Sequence, residues 1–272
     1  MKELIVTPLG TVAPYSKGEH NCPGFLVNYG EEKILLDCGN GITRLLSLPD
    51  DLKNSTIFIS HLHPDHYGDL LSLKKAVFVN QKLGLINEKV KIYLPEHPKD
   101  VFKGDSWNSD GYKYYEKMPD AHFLDILLER ESFDLEYYKD HKKVKKEGID
   151  ISFCKNPHDI DSYGIRLDTE AGSVVYSGDT GYKYNTLEQL AKDADLLICE
   201  STFLRGHRRD QDHHLYAIEA AEIAKSANVK QLMLTHFWPE IDKQCYLDEA
   251  KEVFENTIVA EEGKPLILRR SA

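Results

Sequence analysis

The most constraining feature of the chain is the hexapeptide His61-Leu62-His63-Pro64-Asp65-His66, placed directly after the apolar run Thr56–Ser60. Four of its six residues can ligate a transition metal, and imidazole with carboxylate suits zinc or another borderline divalent ion. Alternate residues of an extended loop point the same way, so His61 and His63 can share one ion. Asp65 and His66 lie beyond the bend at Pro64 and can serve a second. The competing reading is a polar loop whose histidines merely cap backbone groups. Three histidines and an aspartate at this spacing weigh heavily against it.

Further ligand-type residues each follow an apolar, strand-like run. His158 follows Ile149–Cys154, Asp179 follows Ser173–Ser177, Glu200 follows Leu196–Cys199, and His236 follows Gln231–Thr235. Taken singly, an aspartate before Thr-Gly is more often a turn residue. A lone histidine after a strand is more often structural. Taken together, strand ends gathered on one sheet edge would assemble a site from distant sequence.

The remaining pattern predicts strands at Glu3–Pro8, Gly24–Tyr29, Lys33–Leu36, Val90–Leu94 and Gly164–Asp168, with helices at Tyr67–Ala76 and Tyr216–Ser226. Residues 98–148 are rich in Lys, Asp, Glu and Tyr, with a helix expected at Asp120–Glu131. They read as an insertion capping one side of a single domain that spans 1–272. Strands mixed with helices in this way predict a layered α/β (α+β) fold. The lack of a regular βαβ rhythm argues against a doubly wound sheet. With 41% hydrophobic and 29% charged residues, disorder is excluded.

The net charge of −11 disfavours nucleic acid as a partner unless bound cations reverse it locally. Five scattered cysteines without a CxxC pair suggest a reducing compartment. The N-terminal apolar run is too short for a signal peptide, and no stretch approaches the ~20 apolar residues of a membrane span. A cytoplasmic protein with no membrane partner is expected.

His61–His66, His158, the Gly-Asp-Thr at Asp179 and the Thr-His at His236, in that order, resemble the metallo-β-lactamase superfamily over nearly the whole chain. The resemblance implies an αββα sandwich with a dinuclear metal site at the sheet edge. By position it assigns His61, His63 and His158 to one metal. It assigns Asp65, His66 and His236 to the other, with Asp179 bridging. Two zinc ions are implied, with manganese or iron as alternatives, and a metal-bridging hydroxide as nucleophile. Asp37, in LLLDCGNG, matches a position that orients a ligand histidine, and a strand-end turn residue is its alternative reading.

Within the superfamily, PHDIDSYG, CESTF and HHLYAIEAAEIAKSANVKQLMLTHF are most similar to the ribonuclease Z-like phosphodiesterases. That likeness implies Glu200 and His214 as a proton relay, with His213 the alternative to His214, and counts Asp65 among the catalytic residues. Homodimers are common among such proteins. The family's long Gly/Pro-rich arm has no room here, because His158 and Asp179 are 21 positions apart. The loop PLGTVAPYSKGEHNCPG also lacks a basic substrate-binding stretch. The expected substrate is therefore a small or cyclic phosphodiester. A tRNA 3'-processing activity, thioester or lactam hydrolysis, and a metal-stabilised scaffold are the alternatives. The Lys142–Lys146 run reads as a solvated face before it reads as a phosphate attractor.

Overall fold

Strands apolar at every position must be buried on both faces, and here the two faces are covered differently. Leu196 and Ile198 join one hydrophobic cluster, while Leu197 and Cys199 between them join another. Phe58 belongs to the first of these clusters, and its neighbours Ile57 and Ile59 to a third. This period-two partition makes four layers. The computed structural model describes residues 2–96, 132–183, 185–207 and 212–269.

The first sheet has seven strands: β1 (Leu4–Gly10), β2 (Gly24–Tyr29), β3 (Glu32–Leu36), β4 (Ser55–Phe58), β5 (Val90–Pro95), β6 (Phe133–Tyr138) and the late β14 (Leu266–Leu268). Their spatial order is β14-β1-β2-β3-β4-β5-β6. The second sheet takes β7 (Lys143–Lys146), β8 (Ile149–Asn156), β9 (Ser162–Asp168), β10 (Ser173–Tyr176), β11 (Leu196–Glu200), β12 (Gln231–Thr235) and β13 (Thr257–Val259). It runs β13-β12-β11-β10-β9-β8-β7.

The sheets pack face to face through aromatic side chains. The Phe58 and Phe153 ring centroids are 5.7 Å apart, and those of Phe25 and Tyr176 are 5.4 Å apart. After α1 (Pro64–Tyr67), helix α2 (Leu70–Lys82) covers the first sheet with Leu70, Leu73 and Val77. A short α3 (Thr186–Ala191) precedes α4 (Ala217–Ser226), and α5 (Lys243–Lys251) follows. The buried stripe of α4, Ala217, Ala220, Ala221 and Ala224, joins the cluster on the second sheet. The fold is an αββα sandwich.

Strand direction gathers the site. β3, β4, β5 and β6 are mutually parallel, as are β10, β11, β12 and β13. β8 and β10 are each antiparallel to β9 and so share a direction.

One expectation changes. The helix expected at Tyr67–Ala76 is a single turn, α1, followed by the longer α2. The chain breaks between them at Gly68–Asp69, where Asp69 Oδ2 accepts the Thr43 amide at 2.7 Å. The described end of the 98–148 segment, residues 132–148, supplies edge strands β6 and β7. Both read as polar because an edge strand leaves much of its surface in water. The Lys142–Lys146 run lies largely on β7, and Lys146 pairs with Glu32 at 2.7 Å and Lys145 with Asp150 at 2.8 Å. The helix expected at Asp120–Glu131 lies outside the described residues.

Candidate metal centre

Strand ends from both sheets converge on one edge. Asp37 follows β3, the His61–His66 loop follows β4, His158 follows β8, Asp179 follows β10, Glu200 closes β11 and His236 follows β12. Asp37 and His236 have φ of 59° and 64°, the left-handed region that costs a non-glycine residue roughly 1–2 kcal/mol. Strain of this kind collects where a side chain must be aimed at a site. Gly178 also has a positive φ, and a Cβ there would lie 2.9 Å from the Tyr163 carbonyl oxygen and from Ser60 Cβ. Glycine therefore lets the turn bearing Asp179 pass against the first sheet.

The seven ligand-type residues named from the sequence come together as two groups with Asp179 between them. In the first, Nε2 of His61 and Nε2 of His158 lie 3.0 and 3.2 Å from Nδ1 of His63. In the second, Nε2 of His66 and of His236 are 3.4 Å apart. Asp65 Oδ2 lies 3.6 Å from the His66 nitrogen and 3.7 Å from the His236 nitrogen. Asp179 Oδ2 is 3.5 Å from His61 Nε2 and 3.2 Å from His236 Nε2. Its Oδ1 is 3.3 Å from His66 Nε2.

The outward nitrogens show which way the lone pairs point. His66 Nδ1 donates to Asp37 Oδ2 at 2.6 Å, and His158 Nδ1 to the His213 carbonyl at 2.9 Å. The Ser60 hydroxyl gives its only proton to Asp37 Oδ2, so it accepts from His61 Nδ1 at 3.0 Å. The Thr202 hydroxyl gives its proton to Glu200 Oε2 at 2.8 Å, so it accepts from His236 Nδ1, also at 2.8 Å. Each of these four imidazoles is thereby fixed with its Nε2 lone pair turned inward. His63 is reversed, with Nδ1 inward and Nε2 facing Asp159 Oδ1 at 3.6 Å.

Electrostatics fit the same picture. Burial pushes His61 and His158 below the ordinary imidazole range and His63 down to about 4, leaving three neutral donors. Burial also acts to lower His66 and His236, but neighbouring carboxylates, Asp179 first, outweigh it. His66 is held well above its usual value and His236 at about 10. Burial would raise Asp179, yet His236, His66 and His61 hold it well below the carboxylate range. Asp179 Oδ1 is buried without a hydrogen bond. Neutral imidazoles in the first group, imidazoles paired with ionised carboxylates in the second, and a buried Asp179 oxygen without a hydrogen bond fit divalent cations, which would displace the protons of the second group.

Beside them, Glu200 is 1% exposed. Its Oε1 accepts from Thr180 N at 3.0 Å and from His214 Nδ1 at 2.9 Å. Its Oε2 accepts from the Thr202 hydroxyl and the Leu215 amide. Of the two adjacent histidines, His214 pairs with Glu200, while His213 lends its carbonyl to His158. Asp179, His214 and His236 also form a compact ligand-type trio. Sequence reading missed Ser60, Thr202 and Tyr176, whose hydroxyl donates to Asp37 at 2.6 Å. Ser60 and Thr202 each sit within two residues of a named site residue, which is the only signal they carry.

An αββα sandwich with clustered His and Asp side chains at its sheet edge defines a metal-dependent hydrolase. The profile of the β-lactamase superfamily domain matches residues 32–237, and the chain belongs to that superfamily, among its ribonuclease Z-like members. It is 27% identical to a ribonuclease Z of Archaeoglobus fulgidus over 321 aligned positions, covering 94% of this chain and 95% of that one. It is 30% identical to a ribonuclease Z of Sulfolobus acidocaldarius, covering 99% of each. The crystal structure of the metallo-β-lactamase fold protein YhfI from Bacillus subtilis superposes with a TM-score of 0.82 at 24% identity, covering 97% of this chain and 99% of that one. Among the described residues no helix is long and apolar enough to cross a membrane.

Proposed function

We propose that the chain hydrolyses small phosphodiesters. His61, His63 and His158 would hold one zinc ion, Asp65, His66 and His236 a second, and Asp179 would contact both. Such a pair supplies a water activated near neutral pH and positive charge for the phosphoryl oxygens. The observation that carries the reading is the Glu200–His214 pair at 2.9 Å, with His214 Nδ1 3.9 Å from Asp179. Cleaving a diester requires a proton for the departing alkoxide. Burial acts to lower His214, but Glu200 outweighs it and raises the imidazole above its usual range. That shift favours the protonated imidazole over the neutral one. Glu200 holds Nδ1, and Nε2 would be the nitrogen that gives its proton to the leaving oxygen. Asp65 would serve as a ligand of the second ion, its Oδ2 lying 3.6 and 3.7 Å from the Nε2 atoms of His66 and His236.

The connection from His158 to Asp179 is β9, a turn closed by Thr169 on Gly172, and β10. No further arm interrupts it, which supports a small substrate over a folded RNA. The test is hydrolysis of bis(4-nitrophenyl) phosphate by zinc- and manganese-loaded protein, beside a thioester and a lactam, with Asp179→Ala as control. Diester cleavage that disappears in the variant is expected. Cleavage of only the thioester or lactam would overturn the reading.

A further inference from the structure

The turn bearing Asp179 continues as Thr180 and Gly181, and each of the three is tied to a different part of the site. The Asp179 carbonyl accepts from Ser162 Oγ at 2.7 Å and from Asn156 Nδ2 at 3.3 Å. The Thr180 amide donates to Glu200 Oε1. The Gly181 amide donates to the Pro157 carbonyl at 2.6 Å, one residue before His158.

Gly181 also meets the segment that leads into His214. A Cβ at this position would lie 1.9 Å from the Asp212 carbonyl oxygen and 2.9 Å from its carbon. The obstacle is backbone, so no side-chain rotation relieves it. Glycine is demanded here by the close approach of two backbones rather than by an unusual turn. An ion pair between Lys183 and Asp212 spans the same junction on its exposed side.

Asp212 is followed by His213, whose carbonyl accepts from His158 Nδ1, and then by His214. Two imidazoles therefore stand to answer a shift of this segment. The His158 side chain is 1% exposed, whereas that of His214 is 25% exposed and is held at Nδ1 by Glu200. His214 has room to move and His158 has none.

We propose that Gly181 is a positioning residue for the proton donor: by carrying no side chain it sets how closely the 212–214 segment seats against the centre, and so where His214 stands. The proposal rests on the phosphodiesterase reading, because that reading makes His214 the donor to the leaving oxygen.

The test takes metal-loaded Gly181→Ala and His214→Ala, singly and together, on two diesters. Bis(4-nitrophenyl) phosphate releases an acidic phenol that departs readily without a proton, and diphenyl phosphate releases one that does not. Gly181→Ala should keep its metal content and lose roughly ten- to hundred-fold in kcat on diphenyl phosphate, the scale of an ångström's misplacement, with a much smaller loss on the nitrophenyl ester. In the His214→Ala background the same substitution should cost nothing further, because the group it places is gone. Equal losses on the two diesters, losses that multiply in the double variant, or loss of metal or of the fold in Gly181→Ala would each overturn the proposal, because the glycine would then serve the scaffold of the centre. If His214→Ala itself lost no more on diphenyl phosphate than on the nitrophenyl ester, the donor assignment would fall, and Gly181's role with it. Absence of hydrolysis of either diester by the unaltered protein would overturn the parent reading.

Discussion

Asp37 and His66 are joined by a 2.6 Å hydrogen bond, and the same carboxylate oxygen also receives the hydroxyls of Ser60 and Tyr176. Asp37 is fully buried, so one carboxylate from the first sheet is tied to a tyrosine of the second. It holds His66 directly and His61 through Ser60. Asp37→Ala should therefore lower metal affinity about 10–100-fold, the usual effect of losing a group that orients a ligand. Competition with a chromophoric chelator measures this directly. Unchanged affinity would mean that the backbone alone aims the two imidazoles.

The relay separates binding from chemistry. His214→Ala should keep its metal content while the rate falls ~10²–10⁴, the range for losing a general acid. Asp179→Ala should lower both. Metal analysis beside steady-state rates distinguishes the cases, and full activity in His214→Ala would remove that residue from the reaction.

Proton release on metal binding has a definite sign. Without metal, His236 is raised to about 10, so it carries a proton at neutral pH that a cation must displace. Adding zinc to metal-free protein in weak buffer should acidify the solution, and apparent affinity should fall as pH falls. The metal-free fold behaves in the opposite sense. A histidine raised by folding contributes its full stability below the unfolded value of 6.5, and loses it as pH rises through about 10. Tm of chelated protein, read from neutral to alkaline pH, tests this.

Away from the site, Asp195 bridges β10 and β12. It accepts the Ser173 amide at 2.7 Å and pairs with Lys230 at 2.6 Å. Burial acts to raise its pKa, but Lys230 and Ser173 hold it below the usual value. Asp195→Ala should cost about 1–3 kcal/mol at neutral pH by stranding the Ser173 amide. The gap between variant and wild type is full above the ordinary carboxylate pKa and closes as pH falls through the depressed one. Urea unfolding at several pH values measures it.

The clustering of the candidate ligands was legible because each follows an apolar strand or lies in the loop after one. His61, Asp179 and His236 announce themselves by chemistry, and β4 in the first sheet and the parallel strands β10 and β12 in the second carry them to one edge. The edge strands were not legible. FDLEYY and KVKK bury only some positions, so their composition resembles a loop. The terminal β13 and β14 are three residues each, too short for periodicity to show. Thr202 and Tyr176 were hidden for another reason. A hydroxyl that relays one proton leaves no spacing pattern, and its role appears only when strands remote in sequence meet.

The division of the candidate ligands between the sheets has a mechanical meaning. The turn from β6 to β7 carries the chain from the first sheet to the second, and β14 brings it back. His61, His63, Asp65 and His66 stand on one side of that division, and His158, Asp179 and His236 on the other. A cation held by both sets would act as a rivet through the sandwich. Its affinity would then measure how firmly the two halves are clamped, and a chelator would loosen the seam between the sheets before it disturbed either sheet alone.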